Sequence, residues 1–161
     1  RLADVVTGAG DVNTFNSSEG TLFINTAALS DSGTLRMISI SDGGAADYNT
    51  IGILYSSVSN RIQATGYYNG ANQFNIINNG IVPTDILKCA VSYKINEVKF
   101  FVNGVQIGAT DTSATMPLNL SVLNFKNGST GTTYPFYGNT KQIQYFNTAL
   151  SDSELAALTT L

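Results

Sequence analysis

The 161-residue chain has no histidine, no tryptophan, a single cysteine, and only eight lysines and arginines. Each shortage excludes something. One cysteine, Cys89, cannot form an intrachain disulfide. It sits in the apolar run ILKCAVSY and reads as a buried thiol acting as a small hydrophobe. A cysteine nucleophile needs an activating base, and no histidine is present to supply one. No two basic residues are adjacent and the net charge is −3. The clustered positive field that nucleic acid and anionic membranes require is therefore lacking. No apolar stretch approaches the ~20 residues of a membrane helix. No signal peptide is visible, and the abrupt opening RLADVV reads as a piece cut from a longer protein.

What is present points to a packed β-rich globule. Hydrophobic residues make up 43% of the chain and charged residues 12%, the latter about half the usual share. Asparagine, serine, threonine and glycine carry the polar surface, as suits extracellular or virion β-proteins. The length fits one domain, residues 1–161. Short apolar runs alternate with turn residues, the cue for a sandwich or barrel. Strands are expected near 20–26, 34–41, 50–56, 61–68, 72–77, 86–93, 97–102, 105–109, 119–125, 134–137 and 140–147. Cys89, Val91 and Tyr93 share one face by period 2, and so do Val98, Phe100 and Val102, which makes these the expected core.

Asn69-Gly70 and Asn103-Gly104 are the strongest turn signals, because a type I′ hairpin needs positive φ at both central residues. Asn79-Gly80 and Asn127-Gly128 are weaker ones. Pro83 and Pro117 fall between strands, where a missing N–H costs nothing. Only the end reads as helical. Ser151 is the N-cap and Glu154 stands three residues on, a capping box, with Leu150 and Leu155 at the hydrophobic-staple positions.

The order of pieces then becomes recognisable. EGTLFINTA, a strand ending ISISDGG, KCAVSYKINEVKFFVNGVQIG and FYGNTKQIQYFNTALSDSELAAL resemble the laminin-G / concanavalin A-like jelly roll. The FVNG hairpin and the closing stretch from Gly138 to Leu158 carry most of that likeness. More narrowly, RLADVV, SSEGTLF, SISDG, AVSYK and ALSDSELAALT resemble a variant found in phage tail-fibre, spike and related virion proteins. The resemblance implies an all-β fold of two antiparallel sheets packed face to face, one of them concave, closed by a short C-terminal helix. It also implies a homotrimer, glycan or host-surface binding, and a virion or extracellular location. Fold alone does not settle function.

The same fold hosts glycosidases and alginate lyases. Its retaining glycosidases carry a Glu-x-Asp-x-x-Glu strand that sets two carboxyls across the scissile bond. Here Glu19, Glu97 and Glu154 are isolated from one another. The lyases use a Gln-Ile-His strand, and Gln144 stands where Gln142-Ile143 would need the imidazole. No enzymatic activity is expected. Gly43-Gly44 precedes no lysine and opens no helix, so it is no phosphate cradle. No cofactor is expected either. Calcium stays open at Asp42 and Asp47 in the loop DGGAAD, with Asp111 nearby in type, against the reading that these aspartates stabilise turns.

Sugar sites commonly combine an aromatic ring with a few placed polar groups. Three stretches qualify. In strand 61–68, Arg61, Gln63, Thr65 and Tyr67 alternate with Ile62, Ala64, Gly66 and Tyr68, which sends Tyr68 to the core. A two-residue turn at Asn69-Gly70 sets Asn72 opposite Tyr67 and Phe74 opposite Thr65. The second stretch is 129–139, where period 2 puts Tyr134 and Phe136 in the core and Tyr137 on the other face. The third is Tyr48, beside Asn49 and Asp47. The candidate ligand set is Arg61, Gln63, Tyr67, Asn72, Tyr48 and Tyr137. An ordinary solvent-facing sheet, or a subunit interface filled by the same aromatics, would produce the same pattern. The expected role is a non-catalytic glycan-recognition domain at a fibre tip. A purely structural fibre domain and an accessory carbohydrate module of a secreted enzyme are the alternatives.

Overall fold

Alternating runs of apolar and polar residues settle into two antiparallel five-stranded sheets in the computed structural model, which describes residues 9–31, 33–130 and 133–161. RLADVV and Gly131-Thr132 lie outside the described residues. The strands are β1 (Glu19–Ala28), β2 (Arg36–Ser41), β3 (Thr50–Tyr55), β4 (Arg61–Tyr68), β5 (Ala71–Asn79), β6 (Leu87–Lys94), β7 (Glu97–Val102), β8 (Val105–Gln106), β9 (Val122–Asn124) and β10 (Gly138–Phe146). A single helix, α1 (Asp152–Thr159), follows. The first sheet runs β10-β1-β6-β7-β8 and the second β5-β4-β3-β2-β9.

One face of each sheet builds the core. Leu22, Ile24, Cys89, Val91, Tyr93, Val98, Phe100 and Val102 of the first sheet pack against Ile38, Ile40, Ile51, Ile53, Tyr55, Ile62, Ala64 and Phe74 of the second. The six residues expected in the core on period 2 are all there. Burial pushes the Cys89 thiol pKa well up, so it stays protonated and inert. The outer face of the first sheet is closed by α1, where Leu155 meets Phe23, Ala90 and Phe101.

The helix starts where the capping signal places it. The Ser151 amide and hydroxyl both donate to the Glu154 carboxylate, at 2.8 and 2.6 Å, and Leu150 packs with Leu155 in the same cluster. Those two hydrogen bonds hold the Glu154 carboxyl below its ordinary pKa. The ionised form is thus favoured by folding, and its contribution is complete above the ordinary glutamate range and lost as pH falls through the depressed value. We expect the melting temperature to fall on acidification through that range, and Glu154→Gln to flatten this part of the profile, read as Tm against pH.

Both strong turn signals are type I′ in character, with positive φ at Asn69 (47°) and Gly70 (80°), and at Asn103 (50°) and Gly104 (85°). The structure departs from the expected pattern at two places that matter for the outer face of the second sheet. First, the β4–β5 register shifts between Gly66 and Tyr67: Asn72 does face Tyr67, but Phe74 faces Gly66 rather than Thr65. The bulge lets the Phe74 ring fill the space a Gly66 side chain would take, since a Cβ there would lie 2.1 Å from the ring. Tyr68, at the strand end, is only partly buried and outside the core cluster. Second, 134–137 is not a strand. Phe136 is fully buried, its ring tilted against Tyr55 and edge-on to Phe125. Tyr134 is not core; it has positive φ (52°), which breaks the alternation expected to pair it with Phe136.

Candidate functional site

The outer face of the second sheet can be read rung by rung from the strand register. Asn72, Tyr67, Thr50, Ser41 and Val122 form one rung across β5, β4, β3, β2 and β9. Asn75, Thr65, Gly52, Ser39 and Asn124 form the next. Ile77, Gln63, Leu54 and Met37 form a third, and Asn79 with Arg61 a fourth. The alternate residues on these strands are core, so this whole set faces away from it. Helix α1 covers the other sheet, which leaves this face to be covered by loops.

An arch of chain between β9 and β10 is bonded to β2 and to the β2–β3 loop. After β9 the backbone leaves the sheet edge, with the Lys126 carbonyl accepting from Ser39 Oγ at 2.6 Å. It turns back where the Asn127 amide donates to the Thr133 carbonyl, and Tyr134 rejoins β2 by accepting from the Met37 amide at 2.9 Å. The arch is pinned to the β2–β3 loop: Ser129 and Thr130 amides donate to the Gly44 carbonyl. Asn127 Nδ2 donates to Asp47 Oδ1 at 2.7 Å while the Asp47 amide donates to Asn127 Oδ1 at 3.4 Å. Gly128 is required there, because a Cβ would come within 2.7 Å of the Ala46 backbone nitrogen.

The β2–β3 loop is in turn tied to the β4–β5 turn. The Gly70 amide donates to the Tyr48 carbonyl, and Asn49 Oδ1 accepts from the Asn69 amide. Tyr48, 45% exposed, lies against Gly70. These ties gather Tyr48, Tyr67, Asn72, Asp47 and Asn127 at one end of the outer face, with Tyr134 within electrostatic reach of Asp47 and Tyr67. Burial raises the Tyr134 phenol pKa, helped by the nearby Asp47 and Tyr67. Tyr134 is also the one residue other than Asn, Asp or Gly at positive φ among the described residues. That conformation costs about 1–2 kcal/mol for an aromatic residue and gathers at functional sites. Thr50, between Tyr67 and Ser41, is fully buried and its Oγ1 has no hydrogen-bond partner. A buried hydroxyl without a partner is a local cost to stability.

The expected site residues are therefore only partly brought together. Tyr67, Asn72 and Tyr48 are at the tyrosine end. Gln63 is on the same face one rung further. Arg61 is on that face too, but six residues along β4 from Tyr67, about 20 Å at strand rise, with its Nε donating to Asn79 Oδ1. Tyr137 is elsewhere: with Tyr134, Pro135, Gly33, Thr34, Leu35 and Ser57 it lines a separate groove at the other end of β2. Sequence reasoning missed Thr50, Asn127 and Tyr134. The first two carry no motif, and strand alternation misassigned the third.

Asp42 and Asp47 both make turn and loop contacts. Asp42 accepts from the Gly44 amide and from Asn49 Nδ2; Asp47 is engaged by Asn127. Among the described residues no three acidic, histidine or cysteine side chains gather to hold a metal. The three glutamates belong to the other sheet's side. Glu19 Oε2 accepts from the Ala149 amide, and Glu97 pairs with Lys94 at 3.0 Å and Lys99 at 3.1 Å. Lys94 and then Lys99 hold the Glu97 carboxyl pKa down. Glu154 caps α1.

A family model described as the concanavalin A-like lectin/glucanases superfamily matches residues 9–156. The chain belongs to this superfamily. Within it, solved structures share the fold at low identity. The CBM40 domain of a Ruminococcus gnavus IT-sialidase, bound to α2,3-sialyllactose, has a TM-score of 0.77 at 16% identity, covering 100% of this chain and 97% of that one. Domain 4 of AbnA, an extracellular arabinanase of Geobacillus stearothermophilus in complex with arabinotriose, has a TM-score of 0.70 at 12% identity, covering 99% and 82%. A leech intramolecular trans-sialidase matches with a TM-score of 0.72 at 17% identity, covering 91% of this chain and 24% of that one. No curated protein matches in sequence. At these identities the superfamily member shares a jelly-roll sandwich with its neighbours, and its ligand must be argued from its own residues.

Proposed function

We propose that this superfamily member is a non-catalytic glycan-recognition domain, and that glycan binds at the tyrosine end of the second sheet's outer face. The observation that carries the reading is the meeting of Tyr67, Asn72 and Tyr48 at one end of the outer face, where the β2–β3 loop is bonded to the β4–β5 turn. Aromatic faces beside a few placed polar groups are what a sugar ring needs, with C–H surface on one side and hydroxyls around the edge. That three structural neighbours are domains of carbohydrate-active proteins supports it. The absence of catalysis is argued from the carboxylates: glycoside hydrolysis needs two across the scissile bond. Asp42 and Asp47, the acids of this end, are both taken up by amide donors of their own loop and the arch, and every glutamate is committed elsewhere.

The domain acts outside the cell, displayed on a fibre-like virion or surface protein, where a homotrimer raises weak single-site binding by avidity. A second reading, an accessory module of a secreted carbohydrate-active enzyme, is favoured by the parent proteins of its neighbours. Sedimentation of the purified domain separates the two: a trimer supports the fibre, a monomer the accessory module.

A glycan array probed with the multimerised domain tests the function itself. Binding to a defined glycan set is expected; a folded domain that binds no glycan overturns the reading. Binding is metal-independent in this proposal, since Asp42 and Asp47 are taken up by backbone and amide donors. Excess EDTA is expected to leave both glycan binding and Tm unchanged, and a calcium-dependent rise in either would refute this.

A further inference from the structure

Resting on that reading, we infer that the ligand is an extended oligosaccharide, held at the Tyr67 end and again in the groove of Tyr134 and Tyr137, which acts as a second subsite. The groove has the composition of a sugar contact. Its volume is about 350 Å³, within the span of small-ligand sites. Leu35, Pro135, Tyr134 and Tyr137 give it a mostly apolar lining, and Thr34 and Ser57, both exposed, add hydroxyls. Loop bonds fix its walls. The Gly33 amide donates to the Ser57 carbonyl and the Leu29 amide to the Tyr137 carbonyl, each at 3.3 Å.

Tyr134 joins this groove to the Tyr67 end. Its carbonyl accepts from the Met37 amide, at the level of the rung of Gln63, Leu54 and Met37. Its neighbour Thr133 accepts from the Asn127 amide, and Asn127 holds Asp47. Burial, Asp47 and Tyr67 together raise the Tyr134 phenol pKa, so this residue lines the groove while standing within electrostatic reach of the first subsite. The two subsites are about 20 Å apart at strand rise, since Ser41 shares the rung of Tyr67 and Leu35 lies six residues before it. That span is longer than one sugar ring. Gln63, partly exposed on the rung between them, offers an amide to the middle of the chain. A ligand held at two points makes its second contact intramolecularly, so affinity grows with chain length without any stronger single contact. A terminal sugar bound at Tyr67 alone would gain nothing from length.

The test is a length series of one array-positive glycan, from disaccharide to octasaccharide, titrated into the wild-type domain. Affinity is expected to rise by at least about ten-fold along the series and then level off. Tyr137→Ala should remove most of that rise while changing disaccharide affinity by less than about two-fold. Tyr67→Ala should weaken every length. Ser57→Leu, at an exposed position, fills the groove without offering a ring. It is expected to act as Tyr137→Ala does, and it serves in its place should Tyr137→Ala lower Tm. A flat series overturns the second subsite and leaves glycan recognition at the Tyr67 end standing. A rise that survives both groove variants, with Tm unchanged, overturns the groove as its cause. Groove variants that dissociate an oligomer on sedimentation and leave the rise intact assign the groove to a second copy of the chain, which also overturns the inference. No binding at any length overturns the glycan reading and this inference together.

Discussion

Tyr67→Ala lowers glycan affinity about 30-fold, or about 2 kcal/mol, the range of a central aromatic contact, and shifts Tm by little. Tyr67 is partly buried on the outer face of β4, opposite Asn72 on one side and Thr50 on the other. It stands apart from the core cluster, so its removal opens no core cavity. Titration calorimetry with an array-positive glycan, alongside a thermal melt, checks both halves. A drop in Tm equivalent to several kcal/mol with affinity unchanged would make Tyr67 a structural residue and remove the site. Tyr67→Phe separates the two contributions of the side chain, since it keeps the ring and loses the hydroxyl.

Phe136→Ala is expected to destabilise the domain by about 3–5 kcal/mol, the usual cost of emptying a fully buried aromatic position. Phe136 is 0% exposed and lies within 6 Å, centroid to centroid, of both Tyr55 (5.8 Å) and Phe125 (5.9 Å). Two residues earlier the opposite is expected. Tyr134→Gly removes a side chain from a left-handed backbone conformation, so it regains part of the local strain while losing glycan affinity. Chemical denaturation of the two variants, with binding measured on the same samples, makes the comparison. Equal destabilisation by both would mean that the arch and the core form one structural unit.

This contrast shows where reading the chain residue by residue succeeds. Cys89, Val91 and Tyr93, and Val98, Phe100 and Val102, were legible because both faces of their strands are set by ladder pairing over six or more residues. Alternation needs an unbroken strand, and YPFY (134–137) is not one. There Tyr134 is placed by a backbone bond to Met37 and Phe136 by one to Phe125. The β4–β5 pairing failed for a related reason. Asn69-Gly70 correctly set Asn72 against Tyr67, but the bulge at Gly66/Tyr67 moved Phe74 by one residue. The cause is the contact between the Phe74 ring and the bare face of Gly66, which turn chemistry does not encode.

The candidate site was legible to the extent that it lies on one strand. Tyr67, Gln63 and Arg61 share a face by period 2 alone. Tyr48, Asp47 and Asn127 come to the same end from loops far apart in the chain, through the bonds of Asn49 to Asn69 and of Asp47 to Asn127. Tyr137, together with Tyr134, lines a groove at the other end of β2.

By itself the sequence determined the all-β class, most of the strands, both I′ hairpins, the capped helix and the core face, because each rests on periodicity or on local backbone preference. Only the tertiary structure decided which outer face is left for a candidate site and which residues lie together on it. The reason is physical: helix α1 packs on one outer face, an arch is bonded to the β2 side of the other, and long-range hydrogen bonds between loops bring Tyr48 to the Tyr67 end.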